Sequence, residues 1–347
     1  RPGMRVAIKA NLMMPKKPEQ AATTHPAVAA ALCELLIERG ASVVLGDSPG
    51  GLFTAAFLTP IYAATGMRAI EKTGASLNFD FGEAEVENSA ARVCRSFLAT
   101  KYLLEADAVV SLAKIKTHGL MAYTGACKNL FGAVPAMRKA ESHYRYPTPE
   151  QFSGMLVDIC EHIRPVLSIG DMVEAMEGNG PSAGVPRHVG ALFAAKNPHA
   201  LDLAAAHVMN LSLADVPTLS EAHARGLIPD SHEKLSICGD LESFFTPDFK
   251  HARQKQVREW GTNNPLLTAV FRKSFESRPD VIEADCVRCG ECERICPAHA
   301  ITMGGRMALI DREACIRCFC CQEFCPKGAI HVRRPFVARA FEGFRKR

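Results

Sequence analysis

The 347-residue chain has no uninterrupted apolar run approaching the roughly 20 residues that a membrane-spanning helix needs. Its first residues, Arg1-Pro2-Gly3-Met4-Arg5, lack the apolar core of a secretory signal. Both absences point to a cytoplasmic protein with no transmembrane segment. Because Arg1 precedes Met4 and a strand-like run begins almost at once, the start is expected to be a trimmed one. The composition is neither disordered nor collagen-like: 48% hydrophobic and 22% charged residues, with 25 Gly and 21 Pro, suit a large core plus a second small module. No G-x-G-x-x-G follows a strand and no G-x-x-x-x-G-K-[ST] occurs, so a bound nicotinamide, dinucleotide flavin or P-loop nucleotide has no support. A G-x-S-x-G nucleophile elbow is missing too. Finally, a general excess of one charge sign is lacking. The net charge is +4, but residues 331–347 carry Arg333, Arg334, Arg339, Arg345, Lys346 and Arg347 against Glu342, leaving the rest at about −1. That balance excludes a nucleic-acid-coating protein.

Cysteine, by contrast, is abundant and uneven. Of 14 Cys, nine lie between Cys286 and Cys325. A disulfide scaffold spreads its pairs through a small secreted chain, whereas this clustering argues for metal in a reducing compartment. Cys286-x-x-Cys289-x-x-Cys292-x-x-x-Cys296-Pro297 recurs 29 residues later as Cys315-x-x-Cys318-x-x-Cys321-x-x-x-Cys325-Pro326. Zinc sites close with two Cys pairs or Cys/His sets and need neither the third Cys nor the Cys-Pro. The double motif resembles bacterial-type two-cluster ferredoxins over residues 279–332. In those proteins the fourth Cys of each run ligates the other cluster. The resemblance thus implies two [4Fe-4S] clusters, A on Cys286, Cys289, Cys292 and Cys325, and B on Cys315, Cys318, Cys321 and Cys296. Apolar pieces at 300–302 and 329–331 fit the short strands of such a module. Cys320 is left over and reads as a small packed residue. Eight thiolates and two oxidised cores would bring the net charge close to zero, which makes the basic tail a local feature. Val337, Phe341 and Phe344 fall on one helical face there. A helix strapped onto the body is expected over 333–347, with docking to an acidic partner or membrane surface as the alternative.

The first 278 residues alternate strand-like and helix-like periodicity. Residues 4–10 read as a strand, Thr24 and Pro26 as the cap and first turn of a helix ending at Gly40, and 42–45 as the next strand, running into Gly46-Asp47-Ser48-Pro49-Gly50-Gly51. That turn sits where open α/β sheets place ligands. Helix at 54–72, strand at 76–81, helix at 98–105 and strand at 108–112 continue the pattern. The fold class is therefore α/β, a parallel or mixed sheet flanked by helices, with a small C-terminal α+β ferredoxin-like domain.

Alternation after the last of these strands places Lys114, Lys116 and His118 on one side, and Lys128 and Asn129 come from the segment that folds back. Ammonium groups, an imidazole and a Gly-flanked turn suit a small anionic substrate; a solvated basic edge is the plainer alternative. Asp171, Glu174, Glu177, Asn179 and His188 surround a Gly-rich turn able to line the same crevice, the acids serving as proton donors or lysine partners. A structural turn is the competing reading. His143-Tyr144-Arg145-Tyr146 reads as a mobile loop, a candidate lid. Cys127 is read as packing rather than as a nucleophile.

The runs THPAVAAAL, GDSPGG, LAKIKTH, TGACKNLFGAVP, HYRYP, GDMVEAMEGNGPSAG and ALFAAKNPHALDLAAAHVM resemble domain-of-unknown-function family 362 over about residues 4–240. The resemblance implies an α/β domain of undefined chemistry in anaerobe-type metabolism, often joined to a ferredoxin module, with further chain before the first strand. On these grounds an iron–sulfur oxidoreductase is expected: a redox partner protein feeds the clusters, Lys114, Lys128, Asn129 and Asn179 hold the substrate, and Lys116 and His118 act in catalysis, His118 as proton donor. The alternatives are an electron carrier or adaptor with no turnover of its own, and a maturation factor.

Overall fold

The computed structural model describes residues 1–135, 138–251 and 277–333. The basic amphipathic tail, with Val337, Phe341 and Phe344, lies outside the described residues. Among those described, no helix is long and apolar enough to cross a membrane.

Strands β1 (Arg5–Ala10), β2 (Ser42–Gly46), β3 (Ser76–Leu77), β6 (Ala108–His118) and β8 (Leu167–Glu177) run parallel, and β9 (Val185–Ala195) closes one edge antiparallel to β8. The order is β3-β2-β1-β6-β8-β9, with β7 (Ala122–Thr124) folding back on the end of β6. Parallel strands covered on both faces are buried throughout, which explains the apolar runs at the starts of β1 and β6. All eleven residues of β6 are buried. A separate hairpin pairs β4 (Glu83–Glu87) with β5 (Ser96–Thr100). The helix expected at 98–105 shrinks accordingly to α3 (Lys101–Leu104).

Helix α1 (Pro26–Glu38) begins one residue later than its expected cap. His25, not Thr24, caps it, its side chain accepting from the Ala27 N–H. Thr24 is committed elsewhere: its hydroxyl donates to the Leu112 carbonyl and accepts the Asn11 N–H, tying the loop after β1 to β6. α1 and α2 (Ala55–Ala64) pack one core against β1 and β2. α6 (Pro149–Ile163) sits over a second core with α4 (Ala126–Asn129), and α7 (Pro198–Val208) and α8 (Pro217–Ala224) over a third. The segment read as a mobile loop at 143–146 is largely helical: it ends α5 (Arg138–Arg145), and buried His143 stacks on Phe152 at 4.2 Å between ring centroids. Burial of an aromatic pair fixes this segment, which the charged sequence around it concealed.

The C-terminal module is small. β10 (Arg278–Val281) pairs with β13 (Ile330–Arg333), and β11 (Ile301–Met303) with β12 (Ala308–Ile310), all antiparallel. Two short helices, Glu291–Ile295 and Cys320–Glu323, fill the space between them. The two sequence repeats also repeat backbone conformation. Left-handed residues fall at Arg288 and Arg317, at Gly290 and Phe319, and at His299 and Gly328, equivalent positions of the two Cys runs.

Candidate functional site

The cysteines of the module fall into two neighbourhoods. Cys292 feels the charges of Cys325, Cys289 and Cys286, and burial pushes its thiol up to about 11. Cys315 feels Cys318 and Cys296, again beneath a dominant upward push from burial. Thiols crowded in this way are unfavourable as bare thiolates and suit a cationic iron core. Backbone donors are repeated as well: the Ala300 N–H donates to Cys296 Sγ at 3.3 Å and the Ala329 N–H to Cys325 Sγ at 3.2 Å. Hydrogen bonds of this kind to cluster sulfurs tune reduction potential. The donor set, the paired N–H···S bonds and the repeated left-handed turns fit iron–sulfur clusters.

This module is docked on the α/β domain. Buried Gln322 donates its side-chain amide to Asn179 Oδ1 at 2.7 Å and to the Gly180 carbonyl at 3.0 Å, and Asn179 donates in turn to the Ile330 carbonyl at 3.4 Å. Phe319 inserts into the core beneath α6. A Cβ on Gly50 would lie 1.9 Å from the Phe324 ring, so the GDSPGG turn admits that ring only because position 50 has no side chain.

Between the two domains lies a cavity. Its α/β wall presents Lys9, Asp47, Lys128, Asn129, Lys139 and His143; its other wall is Ile295, Cys320, Glu323 and Phe324, of which Ile295, Cys320 and Phe324 are next in sequence to Cys296, Cys321 and Cys325. Lys9 is neutralised locally: its ammonium meets Asp47 at 2.8 Å and Asn129 Oδ1 at 3.2 Å. Gly132 permits that pair, since a Cβ there would overlap both side chains. Lys128 is different. Its ammonium makes no hydrogen bond or ion pair among the described residues; the Phe131 ring lies 5.8 Å away, and Glu323 and His118 feel its charge. Burial pushes the Lys139 ammonium down to about 8, against the pull of Asp47. Burial also keeps His143 neutral, at about 3. Burial favours the neutral form of Glu323, but Lys128 and then His118 outweigh it and hold the carboxyl well below its usual range. The cavity therefore contains one unpaired ammonium, one weakened ammonium and one carboxylate beside the second Cys run.

Of the residues predicted for substrate, Lys128 and Asn129 line this cavity and the others do not. Lys114 is spent on Asp171 in a fully buried pair at 3.0 Å. Lys116 binds Asn11 Oδ1 at 2.9 Å and the Ala22 carbonyl, and burial pushes its ammonium well below the usual range. Asn179 belongs to the interface. His118 is oriented but not acidic: its Nδ1 accepts the N–H groups of Leu120 and Met121, Nε2 faces Glu323 at 3.5 Å, and burial lowers it to about 4. Burial favours its neutral form, and it lies behind Glu323 instead of lining the cavity. Glu174 pairs with His188 at 2.5 Å on the surface, and Glu177 takes the Lys250 N–H. Lys9, Asp47, Lys139, His143 and Glu323 were not foreseen as site residues. The carboxyl end of β2 was marked as a ligand position, and Asp47 stands there; nothing in the spacing of the Cys runs singles out Glu323.

A family model described as a domain of unknown function (DUF362) matches residues 6–207, and one described as a 4Fe-4S dicluster domain matches residues 279–326. The thylakoid-associated protein sll1697 of Synechocystis is 32% identical over 277 residues, spanning 78% of this chain and 80% of that protein. Among solved structures, the lactate racemase apoprotein of Thermoanaerobacterium thermosaccharolyticum is similar at 13% identity and a TM-score of 0.39, over 60% of this chain and 50% of that one. A Thermotoga maritima protein is similar at 14% identity and a TM-score of 0.33, over 56% and 50% respectively. The chain thus spans about half the length of either structural neighbour. With the first model covering more than half of its length and the second its Cys-rich end, the chain belongs to the DUF362 family and carries a 4Fe-4S dicluster domain at its C-terminal end.

Proposed function

We propose that the protein is a cytoplasmic iron–sulfur oxidoreductase that reduces a small anionic substrate in the cavity between its two domains. The observation that carries this reading is the shared wall: the unpaired Lys128 ammonium faces a space whose other side is built from residues adjoining Cys296 and Cys321. We assign cluster A to Cys286, Cys289, Cys292 and Cys325, and cluster B to Cys315, Cys318, Cys321 and Cys296. Two [4Fe-4S] clusters, filled by a redox partner protein, supply single electrons and together match a two-electron reduction. The protein's own residues do the rest. Lys128 pairs with the substrate's negative charge, and Asn129, fixed by Lys9 and Ser111, shapes the floor. Lys139, whose pKa near 8 lies closer to neutrality than any ordinary ammonium, donates the proton. Glu323 excludes a second anion from the cluster side, so a monoanion is favoured over a dianion.

Native mass spectrometry on anaerobically purified protein tests this. Two cubanes plus a further small mass, which Lys128→Ala loses while keeping its iron, is the expected result. Two cubanes with no further mass, in protein that also fails to retain an added monocarboxylate such as acetate or lactate, would overturn it in favour of an electron carrier.

A further inference from the structure

Away from the cavity and the Cys-rich module, three helices bring sulfur and nitrogen donors to one buried point. α4 contributes Cys127, α6 Cys160 and α7 His199, none more than 1% exposed. One ligand atom from each lies within 4.8 Å of those of the other two.

His199 identifies which of its atoms is available. Its Nε2 is spent on Glu161 Oε1 at 3.0 Å, while buried Nδ1 makes no hydrogen bond to nitrogen or oxygen and faces the Cys127 sulfur. An imidazole nitrogen and two sulfurs facing one buried point leave each other only weak S–H bonds, and a bound cation would take all three lone pairs. A carboxylate on the far ring nitrogen is the arrangement that orients metal-ligating histidines. The frame around the three donors is also fixed. Asp202, on the same helix as His199, accepts the N–H groups of Ala126 and Cys127 at 2.6 and 2.9 Å and the Tyr123 hydroxyl at 3.1 Å, which ties the α4 turn to α7. Its oxygens are thereby committed and lie outside the donor set.

We propose that Cys127, Cys160 and His199 form a further metal centre, distinct from the iron–sulfur module, that holds one thiophilic divalent cation of the zinc class. Two sulfurs and an imidazole nitrogen exclude hard cations such as magnesium and calcium. Charge selects among the soft ones. Two thiolates and a neutral imidazole are balanced by a divalent ion, whereas a monovalent ion leaves a net negative charge beside Asp202 in a dry interior. As the ion enters, the two thiol protons leave to solvent, so no oxidant or reductant is needed. The centre joins α4, α6 and α7, and α4 also carries Lys128, so a bound ion would brace the wall that presents this ammonium, with one coordination position left beyond the three protein donors.

Elemental analysis of the full-length, anaerobically purified protein, grown with zinc and dialysed against a chelator, is expected to give one zinc per chain in addition to iron. Cys160→Ala and His199→Gln should each lose at least tenfold of the zinc with iron per chain unchanged. Zinc-edge X-ray absorption on the wild type serves if either variant fails to fold: a mixed shell, with sulfur at about 2.3 Å and nitrogen at about 2.0–2.1 Å, supports the centre. Three results overturn it: no zinc retained and none taken up on titration with zinc chloride, zinc retained by both variants, or an all-sulfur shell, which would place the ion on the module's cysteines. Iron content and cavity occupancy are read separately, so failure here leaves the proposed reduction standing.

Discussion

Lys114 and Lys128 carry the same charge only a short stretch of chain apart, and their surroundings give them opposite roles. Lys114 is 1% exposed and lies 3.0 Å from Asp171, which is itself wholly buried and also accepts the His25 N–H at 2.9 Å. Removing one member of such a pair leaves a buried charge uncompensated, so Lys114→Met is expected to cost about 3–5 kcal/mol. Adding Asp171→Asn, which keeps an acceptor for His25, should restore at least half of that loss. Urea midpoints check this, and a loss below about 1 kcal/mol would mean that the pair behaves as a solvated one. Lys128 makes no hydrogen bond or ion pair among the described residues and acts on Glu323 only through its charge, so Lys128→Ala should lower the same midpoint less than Lys114→Met does while emptying the cavity. Alternation in KIKTH set the expectation that Lys114, Lys116 and His118 share one side of a strand, but alternation says nothing of depth. Depth was decided by Asp171, Asn11 and Ala22, which come from distant segments of the chain.

At the scale of elements, the parallel strands were legible because burial on both faces makes them continuous apolar runs, and the Cys runs because their spacing is itself the chemistry. The β4–β5 hairpin was not legible. Glu83, Glu85 and Glu87 point outward along β4, leaving too little apolar alternation to separate a strand from a polar loop. Phe97 and Cys94 pack the hairpin against the core that also holds α6, and one side chain gathers the hydrogen bonds of its connecting turn. Asp158, in α6, accepts the N–H groups of Arg92, Val93 and Cys94 and the Arg225 guanidinium at 2.6 Å. Burial works to raise its pKa, but the Cys94 N–H, Arg225 and the other N–H groups prevail and lower it. A carboxyl depressed in the folded state contributes stability that is fully present above its unfolded pKa, near 3.9, and is lost as pH falls through the folded value. Asp158→Asn should therefore destabilise the protein by on the order of 2–3 kcal/mol at neutral pH. The gap from wild type should narrow steadily below about pH 4. Thermal melts of both proteins across that range decide it; a gap independent of pH would mean that the carboxyl is not ionised when folded.

For the whole molecule, chemistry in the cavity depends on two domains meeting, since neither alone encloses Lys128 and Glu323 together. In the proposed reduction, electrons would reach only as far as the Cys-rich module extends, and the anion would sit on the other domain. The seam between them is polar at its centre: Gln322 grips Asn179 and the Gly180 carbonyl, and Asn179 returns a bond to Ile330. Buried hydrogen bonds of this kind are worth about 1 kcal/mol each and do not add independently when they share partners. The double variant Asn179→Ala, Gln322→Ala is thus expected to weaken docking by about 1–2 kcal/mol, enough to open the cavity roughly tenfold more often. The eight proposed cluster cysteines are untouched, so iron per chain should stay at the wild-type value. The core beneath α1 and α2 is remote from the seam, so the melting of the α/β domain should move little. What should change is retention of the small mass in native spectra, falling as it does in Lys128→Ala although the ammonium itself is intact. If the variant keeps both its iron and the full small mass, the anion is held by the α/β wall alone, and the dicluster module serves that wall as an electron source without closing it.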